Sequence, residues 1–145
     1  MIRKADDKDA DLLAALAIQM WPGHSLCELA GEFRELLQNE DAACFLKFDD
    51  GRPIAFVQCQ LRRDYVEGTK SSPVGYLEGV FVTEAYRRRG FASMLLRECE
   101  TWAKEKGCKE FASDCELDNT DSLRFHQAAG FSEANRIICF TKELM

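Results

Sequence analysis

The sequence predicts a mixed α/β sandwich. Three observations predict it. Strand and helix patterns follow one another as strand, two helices, three strands, helix, strand, helix, and one or two closing strands. Asp49-Asp50-Gly51 separates two apolar runs, a strong hairpin signal. The 145 residues, 46% of them apolar, are enough for one buried core. No repeat or low-complexity linker divides them, so residues 1–145 read as a single domain.

The elements follow in order. Ile2 to Ala5 is a first short strand. Asp6 or Asp7 caps the next helix, whose apolar face carries Leu13, Leu16 and Met20. Trp21-Pro22-Gly23-His24 ends it, because Pro and Gly both stop a helix. Ser25 caps a second helix with Leu29, Phe33, Leu36 and Leu37 inward. Ala42 to Phe48 and Ile54 to Leu61 are the strands of the hairpin. Arg63 to Ser72 is a polar loop. Pro73 opens the strand Val74 to Val82, where Pro is tolerated at the first position. Phe91, Leu95, Cys99 and Trp102 recur at helical spacing, and Gly107 is a C-cap after Lys106. Glu110 to Asp114 is a further strand. Asp118-Asn119-Thr120 opens a helix with Leu123, Phe125 and His126, which Gly130 ends. Phe131 onward and Ile137 to Thr141 are the expected last strands.

Composition excludes several classes. A formal net charge of −6 argues against nucleic acid as the main partner. It suits a cationic substrate, and it serves solubility equally well. No run is long enough to span a membrane, and the charged N-terminus lacks a signal-peptide apolar region; the cytosol is the expected compartment. Seven Cys, at Cys27, Cys44, Cys59, Cys99, Cys108, Cys115 and Cys139, form no Cys-x-x-Cys pair beside only two His. No zinc or other metal site and no disulfide framework is expected. Most should be small buried hydrophobes in a reducing compartment. A Cys nucleophile paired with His126 is the alternative.

The chemistry concentrates after Leu77-Glu78-Gly79-Val80-Phe81-Val82. There, Arg87-Arg88-Arg89-Gly90-Phe91-Ala92-Ser93 turns a strand into a helix. Such a turn is an anion site: the first helical N–H groups point outward, and the helix dipole favours negative charge. Gly90 lets a phosphate approach without a Cβ in the way.

The pattern Arg87-x-x-Gly90-x-Ala92, with its strand before and its helix after, resembles the pyrophosphate loop of the GNAT acetyltransferases. The element order is also theirs. Within that family the chain resembles the enzymes that acetylate the 6′-amino group of aminoglycosides. The likeness runs through Met20-Trp21-Pro22-Gly23-His24, Asp64-Tyr65-Val66-Glu67-Gly68, Ser71-Ser72-Pro73-Val74, Leu77 to Val82, Ala112-Ser113-Asp114 with Asn119-Thr120, and Phe125-His126-Gln127-Ala128-Ala129-Gly130-Phe131. It implies a mostly antiparallel central sheet flanked by helices, with acetyl-CoA as co-substrate. It implies an aminosugar acceptor, direct attack in a ternary complex, antibiotic resistance as the outcome, and a homodimer.

The resemblance also implies roles. Trp21, His24, Tyr65, Glu78 and Asp114 match positions lining the aminoglycoside pocket. Val80, Phe81 and Val82 would pair their backbone with the pantetheine arm like an added strand. Arg88, Arg89, Gly90, Phe91, Ala92 and Ser93 would hold the pyrophosphate, and Asn119 matches a coenzyme A contact. Two positions depart from the pattern. Asn135 stands where these enzymes often carry an antibiotic-binding Glu. His126 stands where the wider family often has the Tyr that protonates the thiolate.

These residue types suit the chemistry. Ammonium groups pair with carboxylates and sugar faces with aromatic surfaces, which Glu78, Asp114, Trp21 and Tyr65 supply. Ordinary packing would also account for Trp21, a structural salt bridge for Glu78, and a turn for Asp114. An alkylammonium, with a pKa of about 10 by analogy with Lys, must lose a proton before it attacks a thioester. Glu78 or Asp114 is the candidate base. A strand bulge near Gly79 would free a backbone N–H near Val80 for the developing oxyanion. The thiol, with a pKa of about 8.5, leaves readily, so a general acid such as His126 is optional. The rival readings are acetylation of a polyamine, a peptide N-terminus or a lysine, and a non-catalytic coenzyme A-binding module.

Overall fold

The computed structural model describes residues 1–145. Strands β1 (Ile2–Lys4), β2 (Ala42–Asp49), β3 (Arg52–Arg62), β4 (Val74–Val82) and β5 (Phe111–Ala112) form one sheet in chain order. The first four pair antiparallel, and β5 pairs parallel to β4. Helices α1 (Ala10–Ala17), α2 (Leu26–Leu36), α3 (Phe91–Glu105) and α4 (Thr120–Ala128) complete the fold. No helix is long and apolar enough to cross a membrane.

The sheet is buried on both faces. On one side, Ala55, Val57, Cys59, Leu61 and Leu77 pack against Leu95, Leu96, Cys99 and Trp102 of α3. On the other, Cys44, Leu46, Phe56 and Phe81 pack against Leu13, Leu16, Leu29 and Phe33 of α1 and α2. Period-2 side chains and helical apolar stripes produce this layering directly. The hairpin turns through Asp50 (φ 50°) and Gly51 (φ 79°), the two positive φ angles that a two-residue turn of this twist needs. Ser25 caps α2 by accepting the Glu28 N–H at 3.0 Å. Gly107 (φ 93°) follows α3 in the left-handed conformation.

Several expectations change. The first helix ends at Ala17, so Met20 lies in the turn beyond it. The strand expected over Glu110 to Asp114 keeps only Phe111 and Ala112. The last strands are absent: residues 131–145 carry no regular element. Ile137 (71% exposed), Ile138 (80%) and Phe140 (86%) have the composition of a strand, but no edge of their own sheet pairs with them. Of the seven cysteines, Cys44, Cys59, Cys99 and Cys108 are buried, and Cys27, Cys115 and Cys139 are exposed.

Asp9 is the one buried charged residue. Its carboxylate takes both arms of the Arg3 guanidinium, at 2.7 and 2.8 Å, and the Asp6 N–H at 2.9 Å. It thereby ties β1 to the entry of α1 through a capping box. The Arg3 guanidinium holds the Asp9 carboxyl below the usual carboxylate range. A carboxyl depressed in the folded state adds stability above its unfolded pKa, and that stability is lost as pH falls through the folded value. Asp9→Asn should lower unfolding free energy by about 1–3 kcal/mol at pH 7 in urea denaturation. The gap to the parent protein should close below pH of about 4.

Candidate active site

The anion site forms where β4 leads into α3. After β4 a single 3-10 turn, Glu84–Tyr86, leads to Arg88 (φ 65°) and Gly90 (φ 82°). A positive φ is costly for Arg and persists only where surrounding contacts impose it. Here Arg87 anchors the loop: its Nε donates to the Val82 carbonyl at 2.8 Å, and its guanidinium lies 5.5 Å from the Phe81 ring centroid. Gly90 is the N-cap of α3, no side chain caps that end, and its first turn holds no acidic residue. The free N–H groups of a 15-residue helix, with Arg88 and Arg89 exposed beside them, therefore face solvent. Ala92 and Ser93 lie half-buried in the first turn, and the Lys47 ammonium covers the Phe91 ring at 4.7 Å.

Next to this loop the sheet opens. β4 and β5 pair only at Gly75↔Phe111 and Tyr76↔Ala112. Beyond that the strands part, leaving the β5-side edge of Val80, Phe81 and Val82 without a strand partner. The Ser113 hydroxyl reaches the Leu77 carbonyl at 3.3 Å, at the apex of the wedge. Such an edge can accept an extended chain carrying amides. Gly75 allows the narrow end, because a Cβ there would lie 2.5 Å from Phe111 Cδ1 and 2.8 Å from Ala103 Cβ. Asn119 caps α4, its Oδ1 accepting the Ser122 N–H at 3.1 Å.

A bulge sets the third part of the site. Cys59 faces Leu77 and Gln58 faces Gly79, so Glu78 is an extra residue in β4. The bulge adjoins Gly79, where the sequence places one. Glu78 meets Arg62, whose Nη2 lies 3.1 and 3.0 Å from its two oxygens and whose Nε lies 3.3 Å from Oε2. The Arg62 guanidinium also stacks 3.4 Å over the Tyr76 ring. Tyr76 donates its hydroxyl to Asp114. Burial, and then the Asp114 carboxylate, push the Tyr76 phenol well above its ordinary pKa, so it stays a donor. Trp21 closes the row: a Cβ on Gly79 would sit 3.6 Å from its Cη2. A cavity of about 170 Å³ runs on from Trp21 between α2 and β3, with Glu32 and Gln58 in its lining.

The structure thus brings Glu78, Asp114 and Trp21 into one neighbourhood. His24 lies in the turn after Trp21, its backbone N–H donating to the Trp21 carbonyl at 3.2 Å, with an exposed side chain. Tyr65 is 75% exposed on the loop before β4. Asn135 donates to Glu67 of the same loop at 2.6 Å. His126 has both ring nitrogens engaged. Nδ1 lies 2.7 Å from the Ser122 carbonyl, which can only accept, and Nε2 lies 2.7 Å from the Ser113 hydroxyl. Nδ1 therefore donates to that carbonyl, and Nε2 faces the hydroxyl. Its partners are serines, so the Cys–His alternative has no pair here. The sequence alone singles out neither Arg62 nor Tyr76, and it gives Ser113 no role of its own. The alternation Gln58, Gln60, Arg62 along an otherwise apolar strand was the available signal for the first.

A loop for an anion, a strand edge for an amide-bearing chain and a carboxylate-lined face, all on or beside β4, define an acyl-coenzyme A-dependent transferase. The model of the acetyltransferase (GNAT) family matches residues 11–131, and the chain belongs to that family. It is 40% identical over 145 residues to aminoglycoside N(6')-acetyltransferase type 1 of Serratia marcescens, covering 99% of each chain. To that of Acinetobacter baumannii it is 42% identical over 131 residues, 90% of this chain and 89% of the relative. The solved structure of AAC(6')-Iy with the bisubstrate analog CoA-S-monomethyl-acetylneamine matches with a TM-score of 0.94 at 39% identity, over 99% of this chain and 98% of the other.

The wedge depends on the close β4–β5 contact. Gly75→Ala should destabilise the fold by about 1–3 kcal/mol and weaken coenzyme A binding more than a surface substitution such as Glu98→Ala. Thermal unfolding and titration calorimetry read the two effects.

Proposed function

We propose that the chain is an aminoglycoside 6′-N-acetyltransferase acting as one domain, with direct transfer from acetyl-CoA in a ternary complex. The observation that carries this is the meeting of two substrate surfaces at Glu78. The free edge of β4 suits a pantetheine arm, and the face bearing Glu78, Asp114 and Trp21 suits a cationic sugar. A relative bound to a single analog with CoA and neamine parts supports the same arrangement.

In this reading the α3 N-terminus, with Arg88, Arg89, Gly90, Phe91, Ala92 and Ser93, takes the pyrophosphate. Val80 to Val82 align the pantetheine, and the exposed Asn119 amide contacts coenzyme A. Asp114, Tyr65, Trp21 and His24 hold the aminosugar. Glu78 takes the proton from the 6′-ammonium, directly or through one water. The amine then attacks the thioester carbon, the backbone at the bulge stabilises the oxyanion, and the thiolate leaves. His126 faces Ser113 through Nε2, and a general-acid step from it would pass through that hydroxyl. All seven cysteines are free thiols, as the cytosol would keep them.

The assembly in this reading is a homodimer. Ile137, Ile138 and Phe140 lie on an arm without regular structure, and the outer edge of β5 is open. A second copy of the chain offers that arm a strand edge to pair with. Ile138→Asp combined with Phe140→Asp should convert a particle of twice the chain mass into one of the chain mass in sedimentation equilibrium. A parent protein already at the chain mass would overturn the dimer.

Mass spectrometry of acetyl transfer to 6′-amino aminoglycosides, a 6′-hydroxyl analogue, spermidine and a Lys peptide tests the reaction. Product confined to the 6′-amino sugars is expected. Acetylated spermidine or peptide with untouched sugars would move the substrate elsewhere, and cofactor binding without product would favour a binding module. Glu78→Gln should lower kcat by about 100-fold and leave the coenzyme A Kd unchanged.

A further inference from the structure

Arg62 is a cation inside a site proposed to receive cations. We propose that Arg62 is a positioning and specificity-determining residue of the acceptor site. It aims the Glu78 carboxylate and sets a fixed positive charge where an acceptor carries its ammonium groups. The proposal rests on the acetyltransferase reading above.

Three observations carry it. Glu78 is the extra residue of a bulge, so the regular ladder does not set its direction. The guanidinium fork reaches both of its oxygens at 3.0–3.3 Å, a geometry that fixes a carboxylate plane where an ammonium would supply a point charge. The other face of the fork is pinned at 3.4 Å on Tyr76, which is itself tied to Asp114. Asp114, Tyr76, Arg62 and Glu78 thus form one connected row, and the two candidate acceptor carboxylates are positioned through a single guanidinium.

The arrangement leaves room for substrate. The Glu78 side chain is 19% exposed and the Arg62 side chain 39% exposed, so the pair opens on the acceptor face. A carboxylate has about four lone-pair sites, and the fork leaves some of them for an incoming amine. The guanidinium charge also disfavours a second ammonium beside Glu78. The site therefore favours the deprotonated, nucleophilic form of the amine next to Glu78 and discriminates against acceptors that crowd several cations there.

The two effects separate in kinetics. Arg62→Gln should lower kcat by about 10- to 100-fold, because Glu78 loses its aim. The KM for a polycationic aminoglycoside should fall severalfold, because a repelling charge is gone, and its dependence on salt should steepen. Arg62→Lys should restore KM and salt dependence but not kcat, because it keeps the charge and loses the fork. Combined with Glu78→Gln, Arg62→Gln should cost little further kcat. The coenzyme A Kd should stay at the parent value in all variants. An unchanged kcat in Arg62→Gln, full rescue by Arg62→Lys, or an equal loss of kcat and coenzyme A affinity in both single variants would overturn the proposal. A parent protein that acetylates no amine in the panel would remove the underlying reading itself.

Discussion

One extra residue in β4 organises this molecule. Side chains on a strand alternate with period 2, so inserting one residue exchanges the two faces of everything beyond it. Before the bulge, Leu77 packs under α3; after it, Val80 and Val82 do, and Phe81 turns to α1 and α2. Glu78, two residues after Tyr76, keeps the face of Tyr76 and Arg62, and the insertion carries Val80 and Val82 across to the apolar layer of Leu95 and Cys99. A bare carboxylate carried into that layer would be costly.

The same strand offers both its edge and its face, and these are perpendicular surfaces. The β5-side edge is free only because β5 pairs with β4 at two positions and then diverges. A parallel partner needs a crossover, and α3 is that crossover. Its N-terminus consequently opens at the C-terminal end of β4, beside the free edge. In the proposed reaction an extended thioester along the edge and an amine above the face would approach each other at the bulge. Little else is required of the fold than to keep these three features around one strand.

Local signals carried most of this architecture. The Asp50-Gly51 turn, the Ser25 cap, the bounds of β4 and the Gly107 stop were all legible, because each depends on a few consecutive residues. The closing strands were not. Ile137 to Thr141 has strand composition, but a strand exists only with a partner, and no local pattern states which edge is available. The Arg62–Glu78 pair was illegible for a related reason. Its register is set across the loop from Arg63 to Ser72, and a slip of one residue would put the two on opposite faces. The bulge makes such a slip real within β4 itself. Asn135 and Glu67 meet across 68 positions, a contact that only tertiary structure supplies.

A guanidinium on the proposed acceptor face is consistent with a cationic substrate. Glu78 is mostly buried, and an unpaired carboxylate at that depth would pull the bulge toward solvent or toward another partner. Arg62 keeps the carboxylate satisfied and in place before any substrate arrives, and its stacking on Tyr76 limits how far the pair can relax. The charge needed to attract a polycation does not have to come from Glu78 alone. The chain as a whole carries −6, a long-range field that a single internal ion pair leaves unchanged. Attraction over distance and geometry at contact are thus assigned to different parts of the molecule, and a neutral local pair at the proposed base fits an amine that must be uncharged when it attacks.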